Sequence, residues 1–291
     1  MPASLSPLQS REAGFDLGSY LANASSVILP SHLADSAPPI PSPEGELFTG
    51  VDLGTAYLVL VVLDEKGKPV AGEYQFAQVS RDGVVVDFIG AVDRLKAMKL
   101  RIEKRISRSL THAASGYPSG VPLAEVRATA NVLQAVGFDC TGLLDEPSAA
   151  NNVLRLMEGA IVDVGGGTTG VAVVQNGAVV ASADEPCGGT HFSLVIAGSL
   201  DIPFEEAEER KLDPDRQSAL FLSVKPVMEK VGAIIKRSIS GYPVPSITLV
   251  GGSTAFIGMA QVVQDYTGIP TSVADQPLFI TPIGIALHDT I

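Results

Sequence analysis

From Leu47 onward the hydrophobic positions fall into short runs, each broken by glycine or a polar turn. LFTGVDLG (47–54) reads as a strand ending in a glycine turn. TAYLVLVVLDEKGKPVAGEYQF (55–76) follows as strand, turn over 65–69, strand. Residues 91–113 carry apolar positions at helical spacing with no internal Gly or Pro. THAASGY is a further strand, and VRATANVLQAVGF a helix closed by Gly137. TGLLDEPSAANNVLRLM passes from a strand into a helix with Pro147 in its first turn.

The second half begins like the first. AIVDVGGGTTGVAVVQNGAVVASADE reads as strand, glycine turn, strand, Asn-Gly turn, strand. Asp52 and Asp163 are equivalent positions of this repeated unit. Two helices over SLVIAGSLDIPFEEAEERK come next, then a helix over SVKPVMEKVGAIIKRSIS. ITLVGGST is a buried strand entering a glycine turn, FIGMAQVVQDYTG a helix ended by Gly268, and TPIGIALHDT a short closing helix.

The N-terminal region differs. SREAGFDLGSYLANASSVI (10–28) reads as a short amphipathic helix, and SHLADSAPPIPSPEGE (31–46), with four prolines, as a flexible, partly extended linker. Such a segment either lies loose or pads the core, or it offers a docking helix to a partner or compartment.

Composition narrows the function. With 46 % hydrophobic and 18 % charged residues the chain has material for a large core. A net charge of -12 and the lack of tryptophan speak against nucleic acid and anionic membrane as partners. No apolar run reaches the length of a transmembrane helix, and the start lacks the pattern of a signal peptide. Cys140 and Cys187 read as reduced thiols of a cytosolic protein, Cys187 as a small core residue. Against the acidic balance, Arg94, Lys96, Lys99, Arg101, Lys104, Arg105 and Arg108 gather on one helix. That helix is either a solvated face or a docking face for an acidic partner or second subunit.

Three glycine turns carry the candidate chemistry: Asp52-Leu53-Gly54-Thr55, Asp163 to Thr169 (DVGGGTT), and Gly251-Gly252-Ser253-Thr254. Glycines after a strand let backbone N–H groups approach an anion, and threonine hydroxyls add donors. An aspartate at the turn suits a hydrated magnesium ion. Any one such turn is more often a plain tight turn; two Asp-bearing copies and a third in a duplicated frame argue for a phosphate site.

In this order the segments resemble the superfamily of actin, sugar kinases and DnaK-type chaperones. GVDLGT (50–55) is similar to its first phosphate motif, DVGGGTT to its second, and LVGGST (249–254) to its adenosine motif. LDEPSAANNV (144–153) and FITPIGIAL (279–287) are similar to its two connecting helices. The resemblance is closer to the EutJ family of ethanolamine-utilisation operons. It runs through VSRDGVVVDFIGAVDRL (79–95), SADEPCGGTHFSLVIAG (182–198), IPFEEAEERK (202–211), VKPVMEKV (224–231) and LFITPIGIA (278–286).

The resemblance implies an α/β, actin-like ATPase fold: two lobes, each on a duplicated ribonuclease-H-like mixed sheet with flanking helices, and a nucleotide cleft between them. Residues 1–46 are then a tail, 47–156 a first lobe with a small outer subdomain, 157–277 a second lobe, and 278–291 a closing helix returning to the first. It implies Mg²⁺ and ATP/ADP as ligands. Glu146 would orient the attacking water, with Asp163 and Asp52 on the magnesium through water. Gly54, Thr55, Gly165, Gly166, Gly167, Thr168 and Thr169 would hold phosphates. Gly188, Gly189, Glu208, Lys211, Gly251, Gly252 and Ser253 would hold the nucleoside, Glu208 and Lys211 sharing a helix face at i and i+3. Glu205, Glu206 and Glu209 read as solvated, and His191 as a structural neighbour of the Gly188–Gly189 turn rather than a catalyst.

Three departures stand out. Ala56 replaces a second threonine of the chaperones, no counterpart of their catalytic lysine is found, and the sequence stops just after the second connecting segment. The expectation is a slow ATPase without a peptide-binding domain. It would serve an ethanolamine-utilisation enzyme or a microcompartment protein as a chaperone-like or assembly factor, in the cytoplasm, with room for a homo-oligomer. The rivals are a filament-forming or scaffold protein, a small-molecule kinase on the same fold, and a binding-only relative.

Overall fold

The computed structural model describes residues 16–81 and 84–289. The chain divides into two compact units, Met1–Arg155 with Phe279–Ile291, and Leu156–Leu278. Unit 1 contains α1 (Leu17–Val27), β1 (Ile28–Pro30), α2 (Ser31–Ala34), β2 (Leu47–Leu53), β3 (Tyr57–Asp64) and β4 (Pro69–Phe76). It continues with β5 (Ser80–Arg81), β6 (Val84–Val85), α3 (Phe88–Ile106), β7 (His112–Tyr117), α4 (Leu123–Val136), β8 (Asp139–Asp145) and α5 (Glu146–Leu154). Unit 2 contains β9 (Glu158–Val164), β10 (Thr169–Gln175), β11 (Ala178–Glu185), α6 (Gly189–Leu200), α7 (Phe204–Leu212), α8 (Pro214–Ser238), β12 (Ile247–Val250), α9 (Met259–Thr267) and β13 (Thr271–Val273). The last helix, α10 (Ile280–Ala286), belongs to unit 1.

The internal repeat read from the sequence is a repeat of sheet topology. Unit 1 has the order β1-β4-β3-β2-β7-β8 and unit 2 the order β11-β10-β9-β12-β13. In each, an antiparallel three-strand meander is extended by two parallel strands next to its first strand. In unit 2 the meander turns at Asn176 and Gly177, both at positive φ, as a two-residue hairpin requires.

Both faces of the unit 1 sheet are covered, and the pleat shows how. Val51 joins Leu60, Leu95, Met98 and Leu133 in the core under α3 and α4. Its neighbour Gly50 points to the other face, where a Cβ would lie 2.5 Å from the Ala286 nitrogen of α10. The unit 2 core packs Val162, Val171 and Leu249 of the sheet against Phe192 and Ile196 of α6 and Val224, Met228 and Val231 of α8.

Several elements differ from the sequence reading. The helix expected over 91–113 runs from Phe88 to Ile106, because Asp87 caps it through Gly90 N–H and Ser107 at φ 53° ends it. The helix expected from Ser223 begins at Pro214, capped by the Asp213 side chain, and passes through Pro226. The amphipathic helix expected over 10–28 is α1; residues 10–15 lie outside the described residues. The helix is not loose. Tyr20, Leu21, Ala24 and Ile28 are buried, and β1 adds to the edge of β4 in parallel.

The basic helix α3 explains why this segment stays in place. Arg105 donates to the Val27 carbonyl at the end of α1 (3.0 Å), and Arg108 to the carbonyls of Pro43 (2.7 Å) and Gly45 (2.8 Å). Arg101 pairs with Glu73, a fully buried carboxylate of β4 that also accepts from the Ser31 hydroxyl at 2.5 Å. The hydrogen bond to Glu73 holds the Arg101 guanidinium above its ordinary value. Lys99 donates to the Gly137 carbonyl at the end of α4 (3.0 Å) and lies over the Phe138 ring. The expectation of a solvated or docking face is therefore corrected for these four. Arg94, Lys96 and Lys104 are exposed.

A second buried carboxylate closes unit 1. Asp289 accepts from the Thr49 N–H (2.7 Å), lies 2.8 Å from His112 Nδ1, and takes the Thr141 hydroxyl. It thereby ties the residues after α10 to β2, β7 and β8. Asp289→Ala leaves one buried and two part-buried polar groups short of a partner, so a loss on the order of 3 kcal/mol is expected. Urea unfolding reads it directly; an unchanged midpoint would show that solvent replaces the carboxylate there.

Candidate functional site

The first strand of unit 2, β9, ends in Asp163-Val164 and runs into the turn Gly165-Gly166-Gly167-Thr168. The turn is closed by Gly165 N–H donating to the Thr168 carbonyl (3.1 Å). The helix α6 starts beside it. Gly189 N–H donates to the Gly165 carbonyl (2.9 Å) and Thr190 N–H to the Gly166 carbonyl (2.8 Å). Ser253 Oγ adds a second donor to the Gly165 carbonyl (2.8 Å).

These bonds orient the turn. In a trans peptide the C=O and the N–H of one plane point in opposite directions. With the carbonyls of Gly165 and Gly166 drawn to α6, the N–H groups of Gly166 and Gly167 face the other way. Successive N–H groups presented on one side make an anion-binding concavity. Gly188 is required by the closeness of this contact, since a Cβ would lie 2.6 Å from the Gly165 oxygen and 2.8 Å from that of Gly166.

The third glycine turn closes on the same place. β12 pairs with β9 in parallel with Val250 level with Asp163. Gly251 follows at φ 88°, where a Cβ would meet Asp163 Oδ1 at 2.2 Å and the Val164 carbonyl at 2.6 Å. A single 3-10 turn, Gly252–Ala255, then places Ser253 against Gly165.

On α7, Glu208 and Lys211 form a buried ion pair at 2.6 Å. Lys211 Nζ also donates to the Gly189 carbonyl (3.2 Å), and the Ser193 hydroxyl of α6 donates to Glu208 (2.5 Å). Burial pushes the Lys211 ammonium below its ordinary value, against the pull of Glu208. A Cβ on Gly189 would lie 2.3 Å from Ser253 Oγ and 3.2 Å from Lys211 Nζ, so a larger residue there would displace these two side chains. Thus Asp163, the 165–168 turn, Gly188, Gly189, Glu208, Lys211 and the 251–253 turn meet at one end of unit 2. Thr169 is buried and donates its hydroxyl to the Cys187 carbonyl (2.6 Å), so it braces the chain leading to α6.

In unit 1, Asp52 lies near the end of β2, and Gly54 and Thr55 in the turn after it. A Cβ on Gly54 would lie 2.7 Å from the Tyr57 carbonyl, which keeps this turn tight. Glu146 opens α5 after β8, with Asp145 capping the helix by accepting from Ser148 N–H (3.0 Å) and Pro147 next in line. β2, β7 and β8 are mutually parallel, so Asp52 and Glu146 stand at one end of the sheet with β7 between their strands. Gly116 of β7 leaves room for Ile285 of α10, since a Cβ there would lie 2.6 Å from Ile285 Cδ1, and it would come into ordinary contact with Glu146 Cγ at 3.5 Å. The bracing role of Ser193 escaped the sequence reading, whereas His191 is the structural neighbour of the Gly188–Gly189 turn that the sequence suggested, with its Nδ1 3.3 Å from the Gly188 nitrogen.

Two sheets of one topology, each with an Asp-bearing glycine turn at its first strand, define an actin-like ATPase fold. Family comparisons agree: the family described as "Type IV pilus assembly protein PilM" matches residues 148–281, and that described as "MreB/Mbl protein" matches residues 71–200. The fold also matches the crystal structure of MreB 5 of Spiroplasma citri bound to AMPPNP, with a TM-score of 0.68 and 20% identity over 83% of this chain and 95% of that one. Closer likenesses carry another name. The Escherichia coli ethanolamine utilization protein EutJ is 39% identical over 84% of this chain and 86% of its own length. The crystal structure of EutJ from Carboxydothermus hydrogenoformans matches with a TM-score of 0.86 and 40% identity over 93% of this chain and 97% of that one. The chain belongs to the EutJ family of ethanolamine utilization proteins.

Two glycines, one at the cap of α6 and one inside it, should respond to alanine with opposite sign. Gly188→Ala presses a Cβ onto two backbone oxygens and should destabilise the protein by about 1–3 kcal/mol. A methyl added at Gly198, inside α6, would have no atom within 4 Å, so Gly198→Ala should stabilise by about 1 kcal/mol through helix propensity. Chemical denaturation of both variants tests the packing; equal shifts would contradict it.

Proposed function

We propose that this EutJ-family protein binds Mg-ATP, hydrolyses it slowly, and uses the nucleotide state to act on an ethanolamine-utilisation enzyme or a microcompartment protein. The observation that carries the proposal is the direction of the Gly165-Gly166-Gly167 peptides. Their carbonyls are held by α6 and Ser253, which leaves the Gly166 and Gly167 N–H groups for an anion. The buried Glu208–Lys211 pair stands beside this turn, at the helix the resemblance assigns to the ribose and base. Glu208 accepts through Oε2 from both Ser193 and Lys211, an arrangement that fixes its carboxylate for a hydroxyl-bearing ligand.

The donor set suits a hydrated magnesium ion carried by the phosphates. Among the described residues no group of three or more His, Cys, Asp or Glu side chains forms a metal cage. Magnesium rarely needs one, since it keeps several waters and takes one or two carboxylates. In this proposal Asp163 is the carboxylate that unit 2 offers the ion, and Asp52 is the acidic residue at the corresponding turn of unit 1. When bound, the ion neutralises charge on the transferred phosphoryl group. Glu146 is the group that orients water in this scheme. Its place at the start of α5 puts it where the helix dipole favours a carboxylate.

The client is proposed from the family alone, as is a cytoplasmic place of action near the microcompartment. No helix of the described residues is long and apolar enough to cross a membrane.

Thermal unfolding with and without Mg-ATP tests the core of the proposal. A ligand at a hundred times its dissociation constant, bound only by the folded state, adds about 2.7 kcal/mol. The wild type should show a clear upward shift and Asp163→Ala a reduced one. Glu146→Gln should keep the shift and lose phosphate release by at least about a hundredfold, the usual contribution of a positioned acid or base. No shift at millimolar Mg-ATP would overturn the ATPase proposal and leave an interaction protein on this fold.

A further inference from the structure

The weakest mechanical point of the anion turn is the pair of glycines that holds it. Gly188 is required for space, because a Cβ there meets the Gly165 and Gly166 oxygens, and a Cβ at 189 would displace Ser253 Oγ. Consecutive glycines are also the most pliable residues a chain can place at a helix start. Yet the N–H groups that orient the turn, those of Gly189 and Thr190, sit on this pair and the residue after it.

His191 is the side chain that closes onto it. Its Nδ1 lies 3.3 Å from the Gly188 nitrogen, and its own N–H donates to the Gly188 carbonyl at 2.9 Å. A backbone N–H can only donate, so Nδ1 is the acceptor and the ring proton is on Nε2. This is a reciprocal cap in which an imidazole takes the part usually played by a glutamate or glutamine three residues into the helix.

We infer that His191 is a positioning residue of the anion turn. It acts on no ligand. By fixing Gly188 it fixes the start of α6, hence the donors on the Gly165 and Gly166 carbonyls, hence the outward direction of the Gly166 and Gly167 N–H groups. What position 191 must supply is an acceptor two bonds from Cβ. A residue without one leaves the Gly188 N–H short of its partner in a part-buried place and frees the glycine pair to sample other conformations.

The inference rests on the nucleotide proposal for its functional readout, so the test carries a second readout that does not. His191→Ala and His191→Asn are compared with wild type. Asparagine keeps an acceptor oxygen where the ring has Nδ1; alanine keeps none. Amide hydrogen exchange without nucleotide should be about tenfold faster at Gly188 to Thr190 in His191→Ala, the effect of one lost hydrogen bond, and within about threefold of wild type in His191→Asn. The dissociation constant for Mg-ATP should follow the same order, about tenfold weaker for alanine and restored by asparagine. Unchanged exchange in His191→Ala overturns the inference. So does faster exchange with unaltered Mg-ATP affinity, which would make His191 a brace of α6 without effect on the turn. If the wild type binds no Mg-ATP, the nucleotide proposal falls by itself. Exchange at Gly165, whose N–H closes the turn on Thr168, then decides: acceleration there in alanine, reversed in asparagine, upholds His191 as the residue that positions the turn, and unchanged exchange there overturns it.

Discussion

The carbonyl oxygens of Gly165 and Gly166 need donors, and the donors they have decide the geometry at that end of unit 2. A buried backbone acceptor left alone costs as much as a lost hydrogen bond, so the turn must be covered. It is covered by the first N–H groups of α6 and by Ser253, and this forces α6 to start within contact of the turn. Two glycines then become necessary and a third keeps side chains in place. Gly188 makes room for the two oxygens, Gly251 for the Val164 carbonyl and for its own φ of 88°, and Gly189 leaves Ser253 Oγ and Lys211 Nζ where they stand. The supporting polar groups follow from the same contact, because Thr169 holds Cys187 and Ser193 bridges toward Glu208.

Unit 1 uses the same sheet order with a different means of fixing its acidic residue. Glu146 starts α5, and α5 is set by its crossing with α10. There Gly284 comes so near that a Cβ would lie 1.8 Å from the Ala149 carbonyl. Gly50 of β2 admits α10 to the sheet face in the same way. The residues after α10 end on Asp289, which is anchored to β2, β7 and β8. The position of Glu146 therefore depends on a carboxylate far away in sequence, through two helices packed on small residues.

What the sequence made legible was local. Glycine turns after strands, the Asn-Gly hairpin, Pro147 at a helix start and Gly268 at a helix end all act within a few residues, and all appear where their chemistry requires them. The duplicated order of strands was legible because both copies retain it. The reach of α3 was not. A row of arginines at helical spacing looks the same whether it faces water or grips the backbone of a segment much earlier in the chain, since the Pro43 and Val27 carbonyls carry no side-chain signal. The start of α8 was missed, the sequence reading beginning the helix at Ser223, whereas the Asp213 side chain caps it and Pro214 opens it. In the site, the glycines were recognised as a class, but what each makes room for lies in other elements and is a property of the packing alone.

Among the described residues three carboxylates lie buried, and each is met by at least one donor from another segment: Glu73 by Arg101 and Ser31, Asp289 by Thr49, His112 and Thr141, and Glu208 by Ser193 of α6 beside Lys211 of its own helix. Burying such groups yields little stability, since apolar residues of the same shape often do as well or better. Their value lies in register. β1 is three residues long, too short for side-chain alternation to specify its pairing with β4. Ile28 finds its place opposite Gly72, where a Cβ would lie 2.8 Å from Ile28 Cγ1, and Ser31 finds Glu73. A slip by one residue would put Leu29 at the notch and carry the Ser31 hydroxyl away from the carboxylate, leaving Arg101 to face it alone. An apolar contact and a polar one, three residues apart, select a single alignment that neither would select by itself.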